Sequence, residues 1–151
     1  MDDIQEIEVI SHLILDFCIL FVMTGTDNSQ KRTILIVDDH DPFRNTLEDL
    51  IIARFSSFQC EGAQNGRDAL SLLDTIEPDL IFMDIKLPDN NGLELTRRIK
   101  KIHPKKIIII ISHHDIPEYR EASMESGADY FVSKGSMNCD DIVRLIEYFI
   151  L

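Results

Sequence analysis

Five side chains in this sequence are of kinds that do chemistry, and each stands where a run of strand-forming residues ends. Asp38 and Asp39 follow Thr33-Ile-Leu-Ile-Val37, and Asp84 follows Leu80-Ile-Phe-Met83. Ser112 follows five consecutive isoleucines, Ile107 to Ile111, and Lys134 follows Tyr130-Phe-Val-Ser133. In a parallel sheet the carboxyl ends of the strands share one edge, and ligands bind in the crevice outside it, where the strand order reverses. Three carboxylates, a hydroxyl and an ammonium would converge there. Carboxylates that close repel one another unless a cation neutralises them. Oxygen-only ligands without imidazole or thiolate suit Mg²⁺, with Mn²⁺ as the alternative, better than zinc. Cation, ammonium and hydroxyl together make a cradle for a phosphoryl group, whose charge is spread over three oxygens.

The elements that must position these residues are legible in the same pattern. The first strand is expected at 33–38. A helix with Asp41 as its N-cap and Pro42 at its first position follows to about Phe55, with Phe43, Leu47, Leu50 and Ile51 on its apolar side. The second strand is expected at Phe58–Ala63, and a helix after Asn65-Gly66 stops before Pro78. The third strand is expected at 79–84, and Asn91-Gly92 starts a helix with Leu93, Leu95, Ile99 and Ile102 as its stripe, ended by His103-Pro104. The isoleucine run reads as a strand buried on both faces. A fourth helix from Ile116-Pro117 ends at Gly127 as a left-handed cap, a fifth strand is expected at 129–133, and a fifth helix runs from about Asn138. Asp140 and Asp141 lie in its first turn, where acids suit the helix dipole. Five such units predict an α/β, doubly wound parallel sheet with helices on both faces.

Over residues 31 to 150 the segments ILIVDDH (34 to 40), DLIFMDIKLPDNNGLEL (79 to 95) and IIIIISHHDIPEYREASMESGADYFVSKGS (107 to 136) resemble the receiver domain of two-component response regulators. The resemblance implies a flavodoxin-like fold of strand order 2-1-3-4-5, the order of the chemotaxis receiver. It also implies roles. Asp84 would be the phospho-acceptor, and Asp38 and Asp39 the acidic pair holding Mg²⁺ with Lys86 adding its backbone carbonyl. Ser112 would be the hydroxyl switch, Lys134 the phosphate-binding lysine and Phe131 the aromatic switch. The implied partner is a sensor histidine kinase or phosphotransfer protein, with a downstream protein that the residues do not name. The lysine is followed by Gly135 rather than the proline common in the family, so a cis peptide there is not carried over. Lysine-glycine resembles the subfamily that usually carries a helix-turn-helix output domain, a domain expected to be absent here.

Bulk numbers narrow the function classes. At 151 residues the chain suits one domain with a real core, and 44% hydrophobic with 28% charged residues is the composition of a soluble globular protein. The formal net charge is −12, half of it from Asp2, Asp3, Glu6, Glu8, Asp16 and Asp27, with no base before Lys31. Such a surface argues against direct nucleic-acid binding, which needs a basic patch. Cys18, Cys60 and Cys139 lack metal-ligand spacing and read as thiols in a reducing cytoplasm. The start is acidic where a signal peptide would be basic, and the apolar run Leu13 to Met23 is too short to span a bilayer.

Residues 1–30 are expected to form an N-terminal extension, a helix and then the polar linker Thr24 to Arg32, ahead of the receiver-like domain at 31–151. Ile4, Ile7, Ile14, Cys18 and Phe21 fall near one helical stripe, which predicts packing on a partner or a second copy of the chain. The other reading is that this segment is not native and the product starts at Met23.

His113 and His114 point oppositely on an extended backbone and cannot share an ion, so a place at the mouth of the site is expected for them. Lys86 and His114, each two residues past a site residue, are expected to tune the lifetime of the phosphoryl group. His12, His40 and His103 read as solvated, and Arg97, Arg98, Lys100, Lys101, Lys105 and Lys106 as a solvated basic face. The expected function is a phosphorylation-controlled signalling module, not an enzyme beyond its own phosphorylation and dephosphorylation. The alternatives are a receiver-shaped interaction module that is never phosphorylated, and a small phosphatase with an aspartyl nucleophile. The phosphatase lacks its second acid: Asp38 is followed by Asp39-His40, and Asp84 by Ile85-Lys86. A flavodoxin-like cofactor binder would need hydroxyls and amides where Asp38-Asp-His-Asp41 would repel phosphate.

Overall fold

A computed structural model describes residues 31–151. The expected N-terminal helix and linker lie outside the described residues.

Strands β1 (Arg32–Val37), β2 (Phe58–Ala63), β3 (Leu80–Asp84), β4 (Ile107–Ser112) and β5 (Tyr130–Ser133) alternate with helices α1 (Asp41–Arg54), α2 (Gly66–Leu73), α3 (Gly92–Ile102), α4 (Pro117–Glu125) and α5 (Cys139–Ile150). The strands form one parallel sheet in the order β2-β1-β3-β4-β5, as the sequence resemblance implied. Alternate side chains of the central strands feed two separate cores. Leu35, Val37, Ile81, Met83, Ile108 and Ile110 pack with Leu95 and Ile99 of α3 and Ala69 of α2. Ile34, Ile36, Leu80, Phe82, Ile109 and Ile111 pack with Leu47 and Ile51 of α1 and Ile142 and Ile146 of α5. Strands covered on both faces have no polar side to offer, which is why β3 and β4 read as unbroken apolar runs.

Helix starts follow local chemistry. Asn65, Asn91 and Asn138 cap α2, α3 and α5 by accepting from the amides of Asp68, Leu93 and Asp141. Asp141 returns the bond to the Asn138 amide, completing a capping box. Three expectations need correcting. Asp41 is the first residue of α1 and not its cap; His40 holds that position without a side-chain bond, because Asp41 is drawn to Arg44 instead. Ile102 is 70% exposed, since it is the last residue of α3 and lies past the sheet that covers Leu95 and Ile99. The basic cluster is only partly free: Lys100 of α3 is tied to Asp129 (2.7 Å) and Lys106, in the loop before β4, to Glu77 (3.0 Å). Gly127 ends α4 at φ 92°, the left-handed value expected of it, and no cis peptide occurs among the described residues.

Candidate functional site

Strand register brings the five residues to one edge. The Asp38 amide donates to Ala63 O (3.0 Å), carrying the β1–β2 ladder one residue past β1. Asp84 is aligned with Ile111, and Ser112 with Ser133. The Lys134 amide donates to Ser112 O (2.8 Å), so the β4–β5 pairing also extends one residue. Because β1 and β3 are neighbours while their following helices cover opposite faces, this edge between them is the point where the strand order reverses.

Lys134 reaches across β4 to both carboxylates. Its Nζ lies 2.5 Å from Asp38 Oδ2 and 3.1 Å from Asp84 Oδ2, with the ammonium 4.6 Å from the centre of the Phe43 ring. All three partners are out of water: the Lys134 side chain is 2% exposed, that of Asp38 0% and that of Asp84 10%. Burial holds the Asp84 carboxyl above its ordinary value, with Asp38 adding to the effect, while Lys134 and the Lys86 amide pull the other way. Asp39 is exposed, yet it offers an oxygen within 4.8 Å of oxygens from Asp38 and Asp84. One buried ammonium against three carboxylates leaves the cluster negative. Three hard oxygens with no nitrogen or sulfur beside them fit a divalent cation of the Mg²⁺ or Ca²⁺ kind.

Ser112 is buried, and its Oγ accepts from the His114 amide (3.1 Å), which leaves its own proton free to donate. Phe131, also buried, lies with its ring under the Arg120 guanidinium, 4.8 Å from the centroid. At the rim, Lys86 Nζ lies 3.0 Å from His114 Nε2; an ammonium can only donate, so that nitrogen is the acceptor. The contact joins the two residues expected from the sequence to tune the lifetime of the phosphoryl group. His113 is exposed.

Four contributors escaped the sequence reading. Phe43 was expected as plain core, but its half-buried ring lies against the Lys134 ammonium. Arg44 Nη1 donates to the Asp38 carbonyl (2.6 Å), and Nη2 to the Asp41 carboxylate. A Cβ on Gly92 would fall 1.9 Å from the Asp84 carbonyl oxygen, so α3 starts directly on the backbone of Asp84. Asp89 accepts from the amides of Gly66 (2.7 Å) and Arg67 (2.9 Å), pinning the β3–α3 loop to the start of α2 and holding its own carboxyl below the usual range. The Asn91-Gly92 pair marked a helix start but gave no sign of that close approach.

Residues 34–147 match the family described as the response regulator receiver domain. Among curated proteins, the chain is 28% identical to the transcriptional regulatory protein DegU of Brevibacillus brevis over 80% of this chain and 50% of that one. It is 31% identical to the response regulator GacA of Pseudomonas aeruginosa over 76% of this chain and 53% of that one. The chain thus spans about half the length of these relatives. A solved CheY-like response regulator receiver domain protein from Methanospirillum hungatei JF-1 aligns with TM-score 0.71 at 27% identity, covering 78% of this chain and 91% of that one.

Proposed function

Because the chain belongs to the response regulator receiver family of two-component systems, we propose that Asp84 accepts a phosphoryl group from the phosphohistidine of a sensor kinase or phosphotransfer protein. The observation that carries this reading is the Lys134 ammonium shared between buried Asp38 and Asp84 at the edge where Asp39 also reaches. In the transfer, an Asp84 carboxylate oxygen attacks phosphorus, the N–P bond breaks, and its electron pair returns to the departing imidazole. Asp38, Asp39 and Asp84, with the Lys86 backbone carbonyl, would hold Mg²⁺. When bound, that ion would neutralise charge on the phosphoryl oxygens. Lys134 supplies a second positive charge to the same oxygens, and the Ser112 hydroxyl a hydrogen bond.

Once the acyl phosphate forms, it offers the free Ser112 proton an acceptor. Movement of Ser112 toward it vacates space near the buried Phe131 ring, and the Arg120 contact over that ring gives way. Phe131 also lines a cleft of about 330 Å³ with Tyr130, Arg144 and Leu145 on the β5–α5 side, which is the surface that a downstream protein would read. DNA binding by residues 31–151 is not part of this reading, given their acidic balance. Reaction with acetyl phosphate and Mg²⁺ should raise the intact mass by one phosphoryl group, and Asp84→Asn should not gain it. A persistent adduct in that variant would move the acceptor elsewhere, and no adduct in the wild type would favour an interaction module that is never phosphorylated.

A further inference from the structure

Consecutive acidic residues need separate support to aim at one ion. Asp38 has it: its Oδ1 accepts from the His40 amide (2.9 Å) and its Oδ2 from Lys134. Asp39 is exposed, and its carboxylate takes part in no hydrogen bond among the described residues. The direction of the Asp39 side chain is therefore left to its backbone, above all to the peptide plane that joins it to Asp38. We infer that Arg44 is the positioning residue for the acidic pair, acting through that plane, an inference that rests on the proposed cation role of Asp38 and Asp39.

The geometry is specific to a guanidinium. Nη1 donates to the carbonyl oxygen of Asp38 at 2.6 Å, and that carbonyl belongs to the peptide shared by Asp38 and Asp39. Fixing it fixes ψ of Asp38 and φ of Asp39 together. Nη2 donates to the Asp41 carboxylate, so the fork is held from two directions. The Arg44 side chain is only 12% exposed, and it runs beside Gly62, where a Cβ would come within 3.3 Å of its Nε. Its one carboxylate partner among the described residues is Asp41, so it supports the pair without competing for the pair's carboxylate oxygens. A lysine here would keep the charge but could not serve two acceptors as a planar fork.

The test is calorimetric titration of Mg²⁺ onto the full chain, alongside acetyl phosphate labelling at graded Mg²⁺, for wild type, Arg44→Lys and Asp41→Asn. Both variants should bind Mg²⁺ on the order of 10-fold more weakly, as loss of an outer support does at other metal sites. Their labelling rate at saturating Mg²⁺ should stay within about twofold of wild type, since only the affinity for the ion is altered. The weakening should persist at high ionic strength, where a mere charge effect of Asp41→Asn would be screened. Unchanged affinity in folded variants overturns the inference, as does a weakening that salt abolishes. Should Arg44→Lys fail to fold, Asp41→Asn decides, because its carboxylate is 61% exposed and makes little packing. Wild type that takes up no Mg²⁺ would remove the cation role itself and this inference with it, whereas normal wild-type binding with matching variants overturns this inference alone.

Discussion

At the residue scale, the site is a set of buried charges whose balance depends on what is bound. Lys134 is the internal counter-charge for Asp38 and Asp84, and removing one partner of a buried pair strands the others. Lys134→Met should therefore destabilise the ion-free protein by about 3–5 kcal/mol at neutral pH. Denaturant unfolding with and without Mg²⁺ checks this: the loss should shrink when the ion is added. Asp84 gives a second, opposite case. Its carboxyl is held above the ordinary value, so its ionised form opposes folding, and that cost grows as pH rises from the unfolded value through the higher folded one. Asp84→Asn should raise the thermal midpoint of the ion-free protein at neutral pH, and the advantage should fade as pH falls into the ordinary carboxylate range. A thermal midpoint unchanged at neutral pH would contradict the burial argument. The Lys86–His114 contact at the rim predicts that replacing both by alanine changes the dephosphorylation half-life by more than about twofold.

At the element scale, the start of α3 and the start of α5 make contrasting predictions. Gly92 abuts the Asp84 carbonyl, so an added methyl must push the helix off the strand or displace Asp84 itself. Gly92→Ala should cost about 1–3 kcal/mol of stability and slow phosphorylation as well, because backbone and acceptor move together. Asn138 caps α5 through Asp141 and has no hydrogen bond to Asp38, Asp39 or Asp84, so Asn138→Ala should cost about 1 kcal/mol while leaving the Mg²⁺ dependence of labelling unaltered. Urea titration and labelling rates on the two variants separate a helix that positions the acceptor from one that only completes the core.

At the scale of the whole molecule, residues 31–151 contain both cores and every proposed site residue. A version starting at Met23 should accordingly keep its reaction with acetyl phosphate. If the first 23 residues pack on a second copy, sedimentation will show a dimer for the full chain and a monomer for the shorter one. Much of this architecture was legible in the sequence. The isoleucine run at 107–111 and its neighbours fix strand identity, because strands covered on both faces tolerate no polar alternation. The position of Asp38, Asp84, Ser112 and Lys134 at strand ends follows from the same runs, since parallel strands all finish on one edge. Even the caps Asn65, Asn91 and Asn138 are local features, set by residues within three of one another. The contacts that tune the site are not local. Arg44 against the Asp38 carbonyl, Phe43 against Lys134, Asp89 against the start of α2 and Gly92 against Asp84 each join different elements or turn on the path between them. Periodicity reports which face of an element is apolar, but which atoms meet across a face depends on register and helix approach, and only the folded chain determines those.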